Sequence, residues 1–121
     1  AFVEHKVMPR HGANQKLFED PRALYREDGR FSDQVLSLIR EVRTASAVAG
    51  YYHMCAPEDL GGAGLGHLAY YVAWEALFHR CGPQNWLMLY ALAHWAFGPS
   101  RLLEKVTDEA RERIMPGRTR R

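Results

Sequence analysis

The sequence has few cysteines, no apolar run long enough to cross a membrane and almost no excess of charge. Two cysteines, Cys55 and Cys81, are too few for a disulfide framework, so we expect a reducing compartment. The opening residues, AFVEHKVMPRH, lack the apolar core of a secretion signal. The longest apolar stretch, residues 86–97, is shorter than the roughly 20 residues that a transmembrane helix needs. These three features of the sequence predict a cytoplasmic protein without a membrane span.

The excess positive charge lies at the C-terminal end of the chain. The net charge is +2, and because Arg118, Arg120 and Arg121 supply more than this, residues 1–117 carry a net charge of −1. A protein that binds nucleic acid presents its basic residues as a face or stripe of the folded body. We therefore expect one neutral domain over residues 1–117, a basic tail over residues 118–121 and no nucleic-acid partner.

The spacing of apolar residues predicts an all-α domain. Phe2, Val3 and Val7 share one face of a short helix that Pro9 is expected to end, and residues 9–31 are predicted to be a loop with one helical turn. Longer helices are predicted at residues 32–50, 67–80 and 84–97, with shorter ones at 99–106 and from Thr107 onward. No segment alternates as a strand does, so a bundle of about five to six helices is expected.

Two of these helices, at residues 67–80 and 84–97, are apolar on nearly every side. A helix that is hydrophobic all round must be buried all round. Five or six short helices can hardly enclose two such helices. We therefore expect part of their surface to contact another domain, a second subunit or a ligand.

Five short motifs follow one another along the chain. FVEHKVMP forms the opening helix, Gly50 ends the next, and residues 57–65 read PEDLGGAGL. Glu75 and Leu77 then stand as Glu-x-Leu, and after a long apolar segment residues 107–116 read TDEARERIMP. Each motif is weak alone, but their order and spacing resemble the N-terminal helical domain of the acyl-CoA dehydrogenases over nearly the whole chain.

The resemblance implies an orthogonal helical bundle that belongs to an FAD-dependent enzyme. Enzymes of this family oxidise the Cα–Cβ bond of an acyl-CoA thioester, with a glutamate base and with flavin as hydride acceptor. That glutamate and most flavin contacts belong to the family's middle domain and C-terminal helical domain. We therefore expect this chain to be a fragment with no catalytic residue and no FAD site of its own. The implied partners of the parent enzyme are an acyl-CoA, an electron-transfer acceptor and further copies in a homo-oligomer.

The resemblance also implies three substrate-binding residues. Counting from Glu75 without gaps places Asn85, Trp86 and Leu89 at the positions that face the family's acyl-chain pocket. On a helix, Trp86 and Leu89 would lie one turn apart on the same face. The alternative is that these side chains belong to the core or to an interface and contact no ligand.

Other residues that could carry chemistry are expected to be structural. We predict that Glu75 pairs with His79 or an arginine rather than acting as a base, and that His94 is a core histidine. Two histidine–cysteine pairs could be metal half-sites: His53-x-Cys55 and His79-x-Cys81. A single intervening residue is unusual for zinc, so no metal site is expected. The glycines of residues 61–66 are predicted to form a tight turn, because no strand precedes them and no Lys-Ser/Thr follows.

A second interpretation is a non-enzymatic helical module for ligand sensing or dimerisation. In that case the apolar helices would pair with a second copy. The sequence that follows Arg121 in the parent gene would discriminate the two interpretations. A β-rich domain with a flavin loop would support the dehydrogenase, and a stop codon or a helix-turn-helix would support the module.

Overall fold

The computed structural model describes residues 1–92 and 105–114, which are mostly helical. A π-helical turn, Val3–Val7, continues into α1. The helices are α1 (Met8–Ala13), α2 (Gln15–Glu19), α3 (Pro21–Leu24), α4 (Asp33–Val48), α5 (Gly66–Cys81) and α6 (Asp108–Ile114), with 3₁₀ helices at Glu58–Leu60 and Trp86–Tyr90. Over these residues the only β-type pairing is an isolated bridge between Tyr25 and Phe31. The all-α prediction is confirmed.

Helix α4 is the centre of the core, and its bounds agree with the prediction. Its buried positions recur at helical spacing: Val35, Leu38, Ile39, Val42 and Ser46. The helix ends at Val48, Gly50 follows with a left-handed φ of 81°, and the Tyr51 N–H donates to the Ser46 carbonyl at 3.0 Å. Ser32 has the extended backbone of an N-cap, but its side chain makes no capping hydrogen bond. The 3₁₀ helix Trp86–Tyr90 packs against α4.

The prediction of a loop over residues 9–31 is wrong, because three short helices occupy this region. Pro9 lies in the first turn of α1, where its missing N–H costs nothing, so it begins a helix instead of ending one. Pro21 has the same role in α3. There the Asp20 side chain accepts a hydrogen bond from the Arg22 N–H at 2.9 Å and caps the helix.

The prediction of a helix over residues 84–97 is also wrong over residues 84–92, the part of this range that the structure describes. Trp86–Tyr90 is a 3₁₀ helix, Ala91 lies in a turn and Leu92 in a bend. The Asn85 side chain caps the segment by accepting from the Met88 N–H at 3.2 Å. The buried Ser46 hydroxyl donates to the Ala91 carbonyl, so this carbonyl is bonded to α4. Packing against α4 therefore overrides the periodicity.

The remaining C-terminal predictions have different outcomes. Residues 93–97 and 99–104 lie outside the described residues, and Lys105 and Val106, the last two residues of the helix predicted at 99–106, form a bend. The helix predicted from Thr107 is confirmed as α6, and the Thr107 hydroxyl accepts from the Ala110 N–H at 3.2 Å. None of the helices that the structure describes is long and apolar enough to cross a membrane.

Helix α5 exposes a broad apolar face. Its inner side packs against the first helical turn, the π-helical Val3–Val7, and contributes the buried Leu77 to the core. Its outer side exposes Leu68 by 80%, Tyr71 by 65%, Val72 by 56% and Phe78 by 44%. The described part of the chain leaves this face uncovered, as expected for a helix that is apolar all round in a small bundle. The partner that covers it stays a prediction.

Candidate functional site

The structure places the three predicted pocket residues in and beside the 3₁₀ helix, in different surroundings. Asn85 is 6% exposed and its amide oxygen is used in the cap. Trp86 is half-buried, whereas Leu89 is 39% exposed. Because a 3₁₀ helix has three residues per turn, Trp86 and Leu89 lie on the same side of it. The structure thus brings these two residues together and buries Asn85 as a structural cap.

Trp86 lies at the centre of an aromatic cluster. Its ring is 5.6 Å from Phe18, 5.2 Å from Phe31 and 5.2 Å from Tyr90, measured between centroids. The Arg43 guanidinium lies 5.0 Å from the centroid of Tyr90. Burial raises the pKa of Tyr90, so its hydroxyl stays protonated at neutral pH. The cluster therefore fixes the orientation of Trp86.

Sequence reasoning missed Phe18 and Phe31 as neighbours of Trp86. Both come from the region predicted as a loop, where no periodicity indicates which side chains face the core. The presence of these two phenylalanines in a polar stretch was the available signal.

His11 lies at the edge of the same cluster. Its ring stacks on Phe18 with centroids 5.0 Å apart. Burial lowers the pKa of His11, and the negative charge of Glu19 partly opposes this shift. The described residues give its buried Nε2 no hydrogen-bond partner. Protonation of this histidine is therefore unfavourable in the folded state.

A cavity of about 360 Å³ lies between the first helical turn and α5. It is lined by Ala1, Phe2, Val3, Glu4, Tyr51, Ala73, Ala76, Leu77, Arg80, Ala91 and Leu92. None of the three predicted pocket residues lines it. Glu4 and Arg80 form an ion pair there. The Ala1 ammonium first, and then Arg80, lower the pKa of the Glu4 carboxyl, which keeps it ionised.

The glycine-rich segment 61–66 forms a tight turn, as predicted. Gly61 is left-handed with φ 80°, and a Cβ on Gly62 would lie 1.9 Å from the Ala56 carbonyl oxygen. Four N–H groups of the loop are used internally: Gly61 donates to Glu58, Gly62 to Pro57, Gly64 to Ala56 and Leu65 to Met54. N–H groups that are already bonded within the loop are not available to a phosphate group.

The other candidate residues have structural surroundings. Glu75 is exposed on α5, so water solvates its carboxylate, and among the described residues the predicted ion pair with His79 or an arginine is not observed. His94 lies outside the described residues. Cys55 donates from its thiol to the Gly66 carbonyl at 3.2 Å, and burial raises the pKa of Cys55 and of Cys81. Within residues 1–92 and 105–114, no three metal-ligating side chains group together.

The fold and the candidate sites define an all-α domain that presents apolar surfaces. The family described as "Acyl-CoA dehydrogenase, N-terminal domain" matches residues 1–120. No curated protein and no solved structure matches the chain. Because the match covers nearly every residue, the chain belongs to the acyl-CoA dehydrogenase N-terminal domain family.

Proposed function

We propose that this chain is the N-terminal helical domain of an FAD-dependent acyl-CoA dehydrogenase and forms part of the wall of its acyl-chain pocket. Membership of the family supports the oxidoreductase class. The contribution of this domain is binding: it supplies apolar surface to the acyl chain and contacts to the rest of the enzyme. The α-proton acceptor and the flavin contacts belong to the family's other two domains.

The exposure of Leu89 carries the proposal. Leu87 and Met88 are fully buried, whereas Leu89, on the same short helix, is 39% exposed beside the fixed ring of Trp86. A pocket wall needs apolar side chains that stay accessible, because burial of an acyl chain contributes about 0.8 kcal/mol per CH₂. Trp86 and Leu89 fit this requirement, and Asn85 supports them by capping the helix.

The exposed face of α5 supports contact with the rest of the enzyme. Large apolar side chains that share one face usually mark an interaction surface. In the proposed assembly another domain or subunit of a homo-oligomer covers Leu68, Tyr71 and Val72. The acyl-CoA and an electron acceptor are the remaining proposed partners.

Flavin binding and turnover test the enzyme class. The purified enzyme that carries this domain should bind FAD and reduce an artificial electron acceptor when it is given an acyl-CoA. A colourless protein that takes up no FAD and is inert with short, long and steroidal acyl-CoAs would contradict the proposal.

The variant Leu89→Trp tests the pocket wall. In the same enzyme it should shift kcat/KM toward shorter acyl chains with little change in Tm, because the added volume enters a ligand space. Val48→Trp is the control, since Val48 is 85% exposed at the end of α4. If Leu89 is core instead, the larger side chain should cost about 1–3 kcal/mol and leave chain-length preference unchanged.

A further inference from the structure

The cavity beside the first helical turn exists because the side chains that face it are small. Helix α5 contributes Ala73 and Ala76 to its lining, and Ala91 also lines it. Leu77 and Leu92, which are both nearly buried, supply apolar surface from the core side. The result is a space of about 360 Å³, partly open to solvent and mostly apolar, to which Phe2 and Tyr51 add aromatic surface, within the range of small-molecule sites.

Most of the described lining of this space is apolar, and its polar side chains are Glu4, Arg80 and Tyr51. An ordered water needs two to four polar partners, so only a few of the waters that would fill the space could find them on its walls. An aliphatic chain would fill the space better, and about a dozen heavy atoms would occupy it if each takes roughly the 30 Å³ of a water molecule in the liquid.

The ion pair between Glu4 and Arg80 determines the head group that fits. The side chains are 42% and 58% exposed, so solvent weakens their attraction. Arg80 can therefore exchange the Glu4 carboxylate for a carboxylate of a ligand whose chain lies in the cavity. A guanidinium recognises a carboxylate through paired hydrogen bonds, which favours a carboxylate over a neutral head group.

We propose that this cavity is a binding site for a medium-length aliphatic carboxylate, with the chain against Ala73 and Ala76 and the carboxylate on Arg80. The site is separate from the proposed pocket wall, because Asn85, Trp86 and Leu89 do not line it. The proposal therefore does not depend on the proposed function.

Calorimetric titration of the protein with decanoate, which has about a dozen heavy atoms, tests the location of the site. One decanoate should bind per chain, and Ala76→Leu should weaken binding at least about tenfold by filling the space. Leu68→Ser is the control, because Leu68 lies on the outer apolar face of α5 and is 80% exposed. Absence of binding, or loss of binding in Leu68→Ser but not in Ala76→Leu, would overturn the proposal.

Two variants of the ion pair test the head group without changing the cavity walls. Arg80→Gln should weaken decanoate binding about tenfold and leave decan-1-ol binding unchanged. Glu4→Gln should strengthen decanoate binding, because Arg80 loses the carboxylate that competes for it. Arg22→Gln is the control, since its partner is Asp20 at 3.5 Å on the exposed surface. Equal effects of Arg80→Gln and Glu4→Gln on decanoate would show that the ion pair is only structural and overturn the proposal.

Discussion

The turn that precedes α5 depends on the absence of a side chain at Gly62, and Gly62→Ala tests this directly. A Cβ at this position would lie 1.9 Å from the Ala56 carbonyl oxygen and 2.4 Å from its carbonyl carbon. These are backbone atoms, so no rotamer change relieves the overlap. The same carbonyl oxygen accepts the Gly64 N–H at 2.9 Å, and this hydrogen bond would be lost as Ala56 is displaced.

The cost of Gly62→Ala follows from these two effects. Loss of one backbone hydrogen bond costs about 1 kcal/mol, and overpacking adds about 1–3 kcal/mol. We therefore expect the free energy of unfolding to fall by about 2–4 kcal/mol and Tm to fall by about 10 °C. Gly12→Ala is the matched control, because a Cβ at Gly12 in α1 meets nothing within 4 Å. Alanine there should stabilise the protein by about 0.5–1 kcal/mol.

Urea unfolding followed by circular dichroism measures both effects. The midpoint should fall for Gly62→Ala and rise for Gly12→Ala, with the m-value unchanged in both. A Gly62→Ala protein as stable as the wild type would refute the close approach to Ala56. Equal destabilisation by both substitutions would show that the loss of glycine itself, and not the overlap, is responsible.

Three further predictions concern the core, the pH dependence and the outer face of α5. Ser46→Ala should cost about 1–2 kcal/mol in urea unfolding, because it leaves the Ala91 carbonyl without its donor, whereas Ser37→Ala on the exposed side of α4 should change stability by less than about 0.5 kcal/mol. His11 has a lowered pKa in the folded state, so the unfolded state binds more protons as the pH falls below about 6.5 and stability should decrease there. His11→Phe should reduce that decrease in a series of melts across pH; an unchanged profile would contradict the assigned cause. The protein should also self-associate in light scattering across a concentration series, and Leu68→Ser should weaken this association. A wild-type protein that stays monomeric and binds no hydrophobic dye would show that the exposed face of α5 does not mediate self-association.

Helices with strong local signals could be predicted from the sequence. The helix predicted at residues 32–50 is observed at Asp33–Val48, and the one predicted at 67–80 is observed at Gly66–Cys81. In both cases apolar periodicity or composition coincides with a glycine that ends the helix. Thr107 likewise identified the start of α6 through its side chain. These signals act over a few residues, so a linear reading detects them.

The short elements could not be predicted, because contacts with distant residues determine them. Helices α1–α3 have four to six residues, too few for a periodic pattern. The 3₁₀ form of Trp86–Tyr90 accompanies a hydrogen bond from Ser46 to Ala91, two residues that are 45 positions apart. The neighbours of Trp86 also come from distant segments, so its orientation could not be read from spacing alone.

The sequence by itself determined the helical class and the family, since both depend on motifs whose order can be read directly from the sequence. It also indicated that α5 carries more apolar surface than a small bundle can cover. Only the tertiary structure decided where that surface lies, which side of α5 faces the core and which cavity remains beside Ala73 and Ala76. The physical reason is that burial and empty space are properties of how segments pack together, and packing density depends on side chains far apart in sequence.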